Sequence, residues 1–187
     1  MLYALFMMLS SCGFSQKIES FELAKNFYQN AKEKENEIKL FHNIYAEARG
    51  IDPVDSTYRI TRIDLRVNDN TTLIIPGIKE YMKEKQIEEL PFYENIAEFG
   101  KLNNLTSRQA QDSIRTLSIK VIRLMNELKA YKVVGNPQGN GCFIIFSITS
   151  DYDVIYVSDT SSVKHRYWKT FFASGNKFDD NWYYRKN

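Results

Sequence analysis

Basic and aromatic side chains stand side by side near the C-terminal end of the sequence, and this combination could bind a ligand. His165, Arg166 and Trp168 lie close together, and Trp182 and Tyr184 follow near the end. Cations are attracted to the faces of aromatic rings, and such rings stack on sugars or bases. These five residues are the candidate binding residues. The alternative is that Trp168 packs on the last strand at the edge of the core and needs no ligand.

The sequence contains none of the common catalytic signatures. It has no phosphate-binding glycine loop ending in Lys-Ser/Thr, no His-Glu-x-x-His, no Cys-x-x-Cys and no Gly-x-Ser-x-Gly elbow. Cys142 and His165 could form a thiol dyad if the fold joined them, but Cys142 opens an apolar stretch in which a free cysteine is typically buried. We therefore expect no catalytic residue and no cofactor. A hydrolase that uses scattered acidic residues with His165 is the alternative.

Two further patterns could bind ions. Asp151, Asp153 and Asp159 carry oxygen ligands suited to Ca²⁺, but the Gly and Glu of an EF-hand loop are missing. The loop 135–141 contains three Gly and two Asn, whose backbone amides could form an anion-binding nest. Turn formation accounts for both patterns more simply, so no metal site is expected.

The composition is that of an ordinary globular domain. Hydrophobic residues make up 43% of the 187 positions, and 25 basic against 23 acidic residues give a net charge of +2. This composition excludes intrinsic disorder, and the near balance of charge argues against a nucleic-acid partner. The length suffices for one domain, and we expect a single α+β domain over residues 16–187.

Residues 1–15 have the pattern of an export signal. Met1 to Leu9 is apolar and uncharged, and the first charged residue is Lys17. An apolar stretch this short cannot cross a bilayer of about 30 Å as a helix, but it fits the hydrophobic region of a signal peptide. The basic residues that usually precede this region are missing. The sequence predicts an exported protein that resides in the periplasm, at the outer membrane or outside the cell.

Two cleavage patterns overlap in this segment. The stretch from Leu9 to Cys12 (LSSC) resembles a bacterial lipobox, and this resemblance implies that Cys12 becomes the lipidated first residue and tethers the protein to a membrane. The stretch from Gly13 to Gln16 (GFSQ) is similar to cleavage sites of secreted Bacteroidota proteins, which implies simple secretion. With either cleavage Cys142 is the single remaining thiol, and no intrachain disulfide is expected.

Hydrophobic spacing predicts the elements that position these residues. Apolar residues three and four positions apart predict one long helix over 17–49 and a second that ends near Tyr131 and begins at a capping box of Thr106 and Gln109. A charged helix is expected over 78–90.

Strands are expected as a hairpin over 58–75 and at 142–148, 154–157 and 182–185, with a short helix ending at Ala173. The predicted fold is α+β, with long N-terminal and central helices packed on a mostly antiparallel sheet whose main strands are C-terminal.

These patterns favour a non-catalytic envelope lipoprotein or secreted domain that binds a protein or glycan partner. A third possibility is a structural protein that self-associates through the apolar seam of the central helix, over residues 110–131. That function requires the seam to be exposed in the monomer.

Overall fold

The computed structural model of the chain describes residues 21–68, 71–83, 86–87, 94–137, 141 and 143–187. The export segment with Cys12, and Cys142 farther along, lie outside these residues. Among the described residues, no helix has both the length and the apolar character needed to cross a membrane.

Along the described part of the chain, two helices precede the first four strands, two more precede the next three, and a fifth lies between the seventh and eighth strands. The helices are α1 (21–33), α2 (Glu35–Ile38), α3 (Glu94–Leu102), α4 (Ser107–Leu128) and α5 (Arg166–Ser174), with 3-10 turns at Lys39–Asn43 and Thr160–Ser162. The strands are β1 (Ile44–Ile51), β2 (Tyr58–Arg66), β3 (Thr72–Tyr81), β4 (Gln86–Ile87), β5 (Lys132–Gly135), β6 (Phe143–Ser147), β7 (Tyr152–Val157) and β8 (Trp182–Lys186).

The described strands form one 8-stranded sheet in the order β4-β3-β2-β1-β5-β6-β7-β8. Every neighbouring pair is antiparallel. Two meanders, β1 to β4 and β5 to β8, are joined edge to edge by the pairing of β1 with β5, and α3 and α4 lie between them in the chain. The predicted α+β class with an antiparallel sheet is confirmed.

One face of the sheet, here the inner face, packs under α1, α3 and α4. Successive strand residues point to opposite faces, so every second residue enters this core. Phe27 of α1 lies 5.1 Å from Phe146 of β6, measured between ring centroids. Buried residues of α4 join the same cluster, which is the main hydrophobic core.

The opposite face, here the outer face, is covered over only part of its width. Phe172 of α5 packs on Phe143 and Tyr183, at centroid distances of 5.4 and 4.9 Å, and a second hydrophobic cluster forms there. The members of this cluster from the sheet come from β5 to β8. On β1, β2 and β3 the outer face carries polar side chains, and an antiparallel sheet can leave such a face in water.

The prediction of one helix over 17–49 is wrong in its second half. Helical structure ends in the 3-10 turn Lys39–Asn43, and Ile44–Ile51 is strand β1. The segment fits both periodicities, since Ile44 and Ala46 are buried on the inner face while Tyr45 and Glu47 lie on the outer face. Pairing on both sides, with β2 and with β5, outweighs the high helix propensities of Ala46, Glu47 and Arg49.

The prediction of a helix over 78–90 is also wrong where the chain is described, because β3 runs through to Tyr81. Pro76 and Gly77 lie within the strand at an irregularity, where the pairing shifts from Ile63↔Ile75 to Thr61↔Ile78. A bulge tolerates a proline in a sheet. The two longest strands, β2 and β3, therefore come from the N-terminal half, and the main strands are not C-terminal.

The central helix follows its prediction closely. Thr106 and Gln109 form the capping box, and α4 runs from Ser107 to Leu128. The apolar seam faces the sheet, with Ala110, Ile114 and Val121 all 0% exposed. The seam is therefore part of this chain's own core, which argues against self-association through it.

Candidate functional site

The five predicted binding residues do not share one surface. Trp182 is 0% exposed and lies in the inner core, 5.0 Å from Tyr156 between ring centroids. Tyr184, two residues further along β8, contacts Phe21 and Phe178 at 5.3 and 4.7 Å. His165, Arg166 and Trp168 belong to the opposite side of the sheet, at the start of α5.

His165 serves as the N-cap of α5. Its Nδ1 accepts a hydrogen bond from the backbone N–H of Tyr167 at 3.3 Å, which satisfies one of the free donors at the start of the helix. Among the described residues no carboxylate forms an ion pair with this imidazole. The geometry gives His165 a structural role and supplies no acidic partner for hydrolysis.

Trp168 lies at the edge of the outer cluster. Its ring is 4.9 Å from that of Phe143, and the guanidinium carbon of Arg185 lies 5.2 Å from its centroid. Trp168 therefore packs at the edge of a hydrophobic cluster, which is the alternative to ligand binding that the sequence left open. The side chains that α5 presents to solvent include Arg166, Tyr167 and Lys169.

The exposed side of α5 and the residues just before it carry positive charge, and Asp159, Asp179 and Asp180 flank this stretch. Residues 160–178 contain four Lys or Arg and no Asp or Glu. The exposed members include Lys164, Arg166 and Lys169. Since the whole chain has a net charge of only +2, this segment is a local concentration of positive charge beside the uncovered part of the outer face.

A row of polar side chains crosses six strands on the outer face. The strand register pairs, in order from β2 to β8, Arg62, Glu47, Lys132, Ser147, Asp153 and Arg185. Positive and negative charges alternate around the central Ser147. Opposite charges on neighbouring strands attract, so the row stabilises this register of the sheet.

The β7–β8 end of the row is closed and serves stability. Asp153 is 2% exposed, and its Oδ2 accepts from Nε and Nη2 of Arg185 at 2.9 and 2.7 Å. Its Oδ1 accepts from the hydroxyl of Ser147 at 2.7 Å. A buried carboxylate needs such partners because desolvation is costly.

The other end of the row is open. There Tyr45, Glu47, Arg62, Asp64, Arg66 and Lys132 form what we call the outer-face site. The ring centroid of Tyr45 lies 5.8 Å from Arg62 and 5.5 Å from Lys132, so two cations flank one aromatic ring. Burial, then the hydrogen bond to Glu47, raises the pKa of Tyr45 to about 12. The hydroxyl therefore stays protonated and donates to Glu47 Oε2 at 2.9 Å.

Asp64 is held by a two-pronged contact within the same strand. The Nε and Nη2 of Arg62 donate to its two carboxylate oxygens at 2.8 and 2.6 Å. Charge-assisted pairs of this kind are strong and directional. Asp64 is thereby neutralised and fixed, and it is poorly placed to act as a catalytic base.

Beside Asp64 the surface is concave. A shallow cavity of about 230 Å³ is lined by Asn43, Tyr45, Asp64, Arg66, Thr72, Val134, Gly135 and Pro137. Arg66 spans it and donates from Nη1 to the Asn136 carbonyl at 3.4 Å. Among the described residues, this carbonyl is the one hydrogen-bond acceptor of the guanidinium, which carries five N–H donors.

Close packing at the floor of the cavity requires glycine at position 135, which the sequence alone places in a loop. A Cβ on Gly135 would lie 1.6 Å from the Phe41 carbonyl oxygen, so the 3-10 turn and β5 meet backbone to backbone. No other residue fits between them. This contact holds Asn43 and Tyr45 beside β5.

Sequence reasoning missed the outer-face site because its members are far apart in the chain. The available signal was that Tyr45 and Glu47, like Arg62 and Asp64, stand two positions apart and so share one face of a strand. This spacing does not show which strands are neighbours. Within the described residues, no three His, Cys, Asp or Glu side chains are placed to hold a metal ion. The arrangement can bind and orient an anionic group.

Comparison with protein-family models, with curated proteins and with solved structures gives no match for this chain. Its function is therefore argued from its own geometry.

Proposed function

We propose that this chain is an exported, non-catalytic envelope or secreted domain that binds an acidic protein or glycan partner through its outer surface. That surface consists of the outer-face site and the adjoining basic side of α5. If Cys12 is lipidated, the domain acts from a membrane tether, and if it is not, the domain acts as a secreted protein.

The observation that carries the proposal is Arg66 in its open cavity beside the uncovered strands. The outer-face site contains three cations, Arg62, Arg66 and Lys132, and two carboxylates. Arg62 is engaged by Asp64, whereas the one side-chain hydrogen bond of Arg66 to a described residue is the 3.4 Å contact with the Asn136 carbonyl. A carboxylate or sulfate from a partner would complete the hydrogen bonding of Arg66.

The shape of the surface also favours partner binding over catalysis. The charges lie on rigid strands, and the surroundings are shallow and open to solvent, whereas catalytic sites exclude water to strengthen their electrostatics. Arginine and tyrosine are enriched at protein–protein contacts, and both lie here. A glycan that carries uronic acid or sulfate groups would use the same donors.

Photo-crosslinking in the native host tests the proposal. A photoreactive residue placed at Thr72, which is exposed at the rim of the cavity, should form an adduct of discrete mass. Protease or glycosidase treatment of the adduct then distinguishes a protein from a glycan. The matched control carries the same residue at Thr116, which is exposed on α4 on the other side of the sheet.

Adducts that form at Thr116 as readily as at Thr72, or at neither position, would show that the outer surface has no special role.

Mass spectrometry of the native N-terminus tests the export part of the proposal. We expect either a diacylglycerol on Cys12 or a new terminus at Gln16. A protein that retains Met1 would contradict export altogether.

A further inference from the structure

A second concave site lies on the inner side of the sheet, where the end of α4 approaches β1 and β2. It has a volume of about 360 Å³ and is lined by Ala48, Arg59, Thr61, Ile122, Met125, Asn126, Lys129, Ala130 and Tyr131. Small-molecule sites typically begin at about 300 Å³ and combine apolar walls with a few fixed polar groups. This cavity has apolar walls and a polar end.

The walls of the cavity are largely apolar. Ile122 and Met125 are each 3% exposed, and both project from α4. Ala48 and Ala130 add small side chains that leave the space between helix and strands open. Methionine is flexible and polarizable, so this wall can adjust to an apolar body of varied shape.

One end of the cavity is polar and is organised by a chain of buried contacts. Asn126 Nδ2 donates to Glu80 Oε1 at 2.9 Å, and its Oδ1 accepts from Arg59 Nη1 at 3.0 Å. Glu80 is 4% exposed, and it faces Arg59 across the pairing of β2 and β3. Because a carboxylate and a guanidinium hold the two ends of the amide, Asn126 has one orientation, and Arg59 is fixed at the wall of the cavity.

The local charge favours an anion. Arg59 and Lys129 supply two positive charges, and the buried Glu80 supplies one negative charge. The end of α4 adds roughly half a negative charge from its free carbonyls, but Lys129 and Ala130 N–H groups cap the carbonyls of Asn126 and Met125. The net field at the cavity is therefore positive.

We propose that this cavity binds a small monocarboxylate with an apolar body. The carboxylate pairs with the Arg59 guanidinium, whose only hydrogen bond within the described part of the chain goes to Asn126. The apolar body lies on Ile122 and Met125. This site is on the opposite side of the sheet from the outer-face site and does not depend on the function proposed above.

Octanoate is a suitable probe, with octylamine and 1-octanol as matched ligands of opposite and zero charge. Titration calorimetry on the purified protein should show saturable binding of octanoate and at least tenfold weaker binding of the other two. Arg59→Met should weaken octanoate binding at least tenfold. Arg115→Met, which removes a guanidinium from an exposed position on α4 outside the lining of the cavity, should leave it unchanged.

Lys129→Gly gives a variant that keeps the fold. Lys129 has a φ of 60°, a conformation that glycine adopts more easily, so the substitution removes the charge without strain. Octanoate affinity should fall several-fold while the melting temperature stays the same or rises. Absence of octanoate binding to the parent protein, equal binding of octylamine, or an unchanged affinity in Arg59→Met would overturn the proposal.

Discussion

At the scale of the residue, arginine has different roles on the two halves of the outer face. Arg185 closes on the buried Asp153 and has a structural role, whereas Arg66 lies in an open cavity. The difference comes from α5, which covers β6 to β8 and leaves β1 to β3 in contact with solvent. The proposed function therefore depends on Arg66, to which the described residues supply one carbonyl acceptor.

His42 gives a prediction at this scale. Its Nε2 is buried and has no hydrogen-bond partner within the described residues. Burial, and to a smaller extent the charge of Lys39, lowers the pKa of His42 below its ordinary value of 6.5. The folded state thus binds fewer protons than the unfolded state, so the free energy of unfolding should fall as the pH drops below about 6.5.

Urea unfolding at pH 7.5 and pH 5.5 measures this dependence. His42→Gln should reduce the loss of stability between the two pH values, because its side chain does not titrate. Arg115→Gln, an exposed substitution on α4 that removes no histidine, is the control, and it should keep the loss seen in the parent. An equal loss in all three proteins would contradict the assigned role of His42.

At the scale of the element, α4 depends on its capping box. The Thr106 hydroxyl accepts from the Gln109 N–H at 3.3 Å, and Gln109 Oε1 accepts from the Thr106 N–H at 2.9 Å. Thr106→Ala removes the first of these bonds and should lower the free energy of unfolding by about 1 kcal/mol.

Thr116→Ala makes the same chemical change at an exposed position within α4. It should leave stability unchanged or raise it by up to about 0.5 kcal/mol, because alanine is the better helix former. Equal effects of the two substitutions in chemical denaturation would show that the capping box does not stabilise α4.

The elements also show where sequence reasoning succeeds. The seam from Ala110 to Leu128 and the apolar run of β6 were predictable because each has one dominant period and clear ends. Residues 44–51 fit both a helix and a strand, and only the partners on either side decide between them. Pro76-Gly77 is typical of a turn, but a bulge absorbs it within β3.

The candidate site was less predictable than the fold. Alternation places Trp182 and Tyr184 on one face of β8, yet it does not say that α1 covers that face. Likewise, the outer-face site forms only when β1 joins β2 on one side and β5 on the other. These are long-range pairings, and a single sequence carries no local signal for them.

At the scale of the whole molecule, the sheet separates two kinds of surface. The inner side carries α1, α3, α4, the main core and the cavity beside Arg59. The outer side carries α5 and the open, basic region. A domain with a packed core and charged side chains on one uncovered side is suited to the proposed role of binding a partner. The central claim is that this partner binds on the outer side through positive charge.

The most direct measurement of that claim is the yield of the Thr72 photo-adduct in a charge-altered protein. Arg66→Gln removes the guanidinium that lines the cavity and should lower the yield at least fivefold, with a similar amount of folded protein in the cells. Arg115→Gln, at an exposed position on α4, should leave the yield unchanged. An equal yield in the parent and in Arg66→Gln would contradict recognition through the outer-face site.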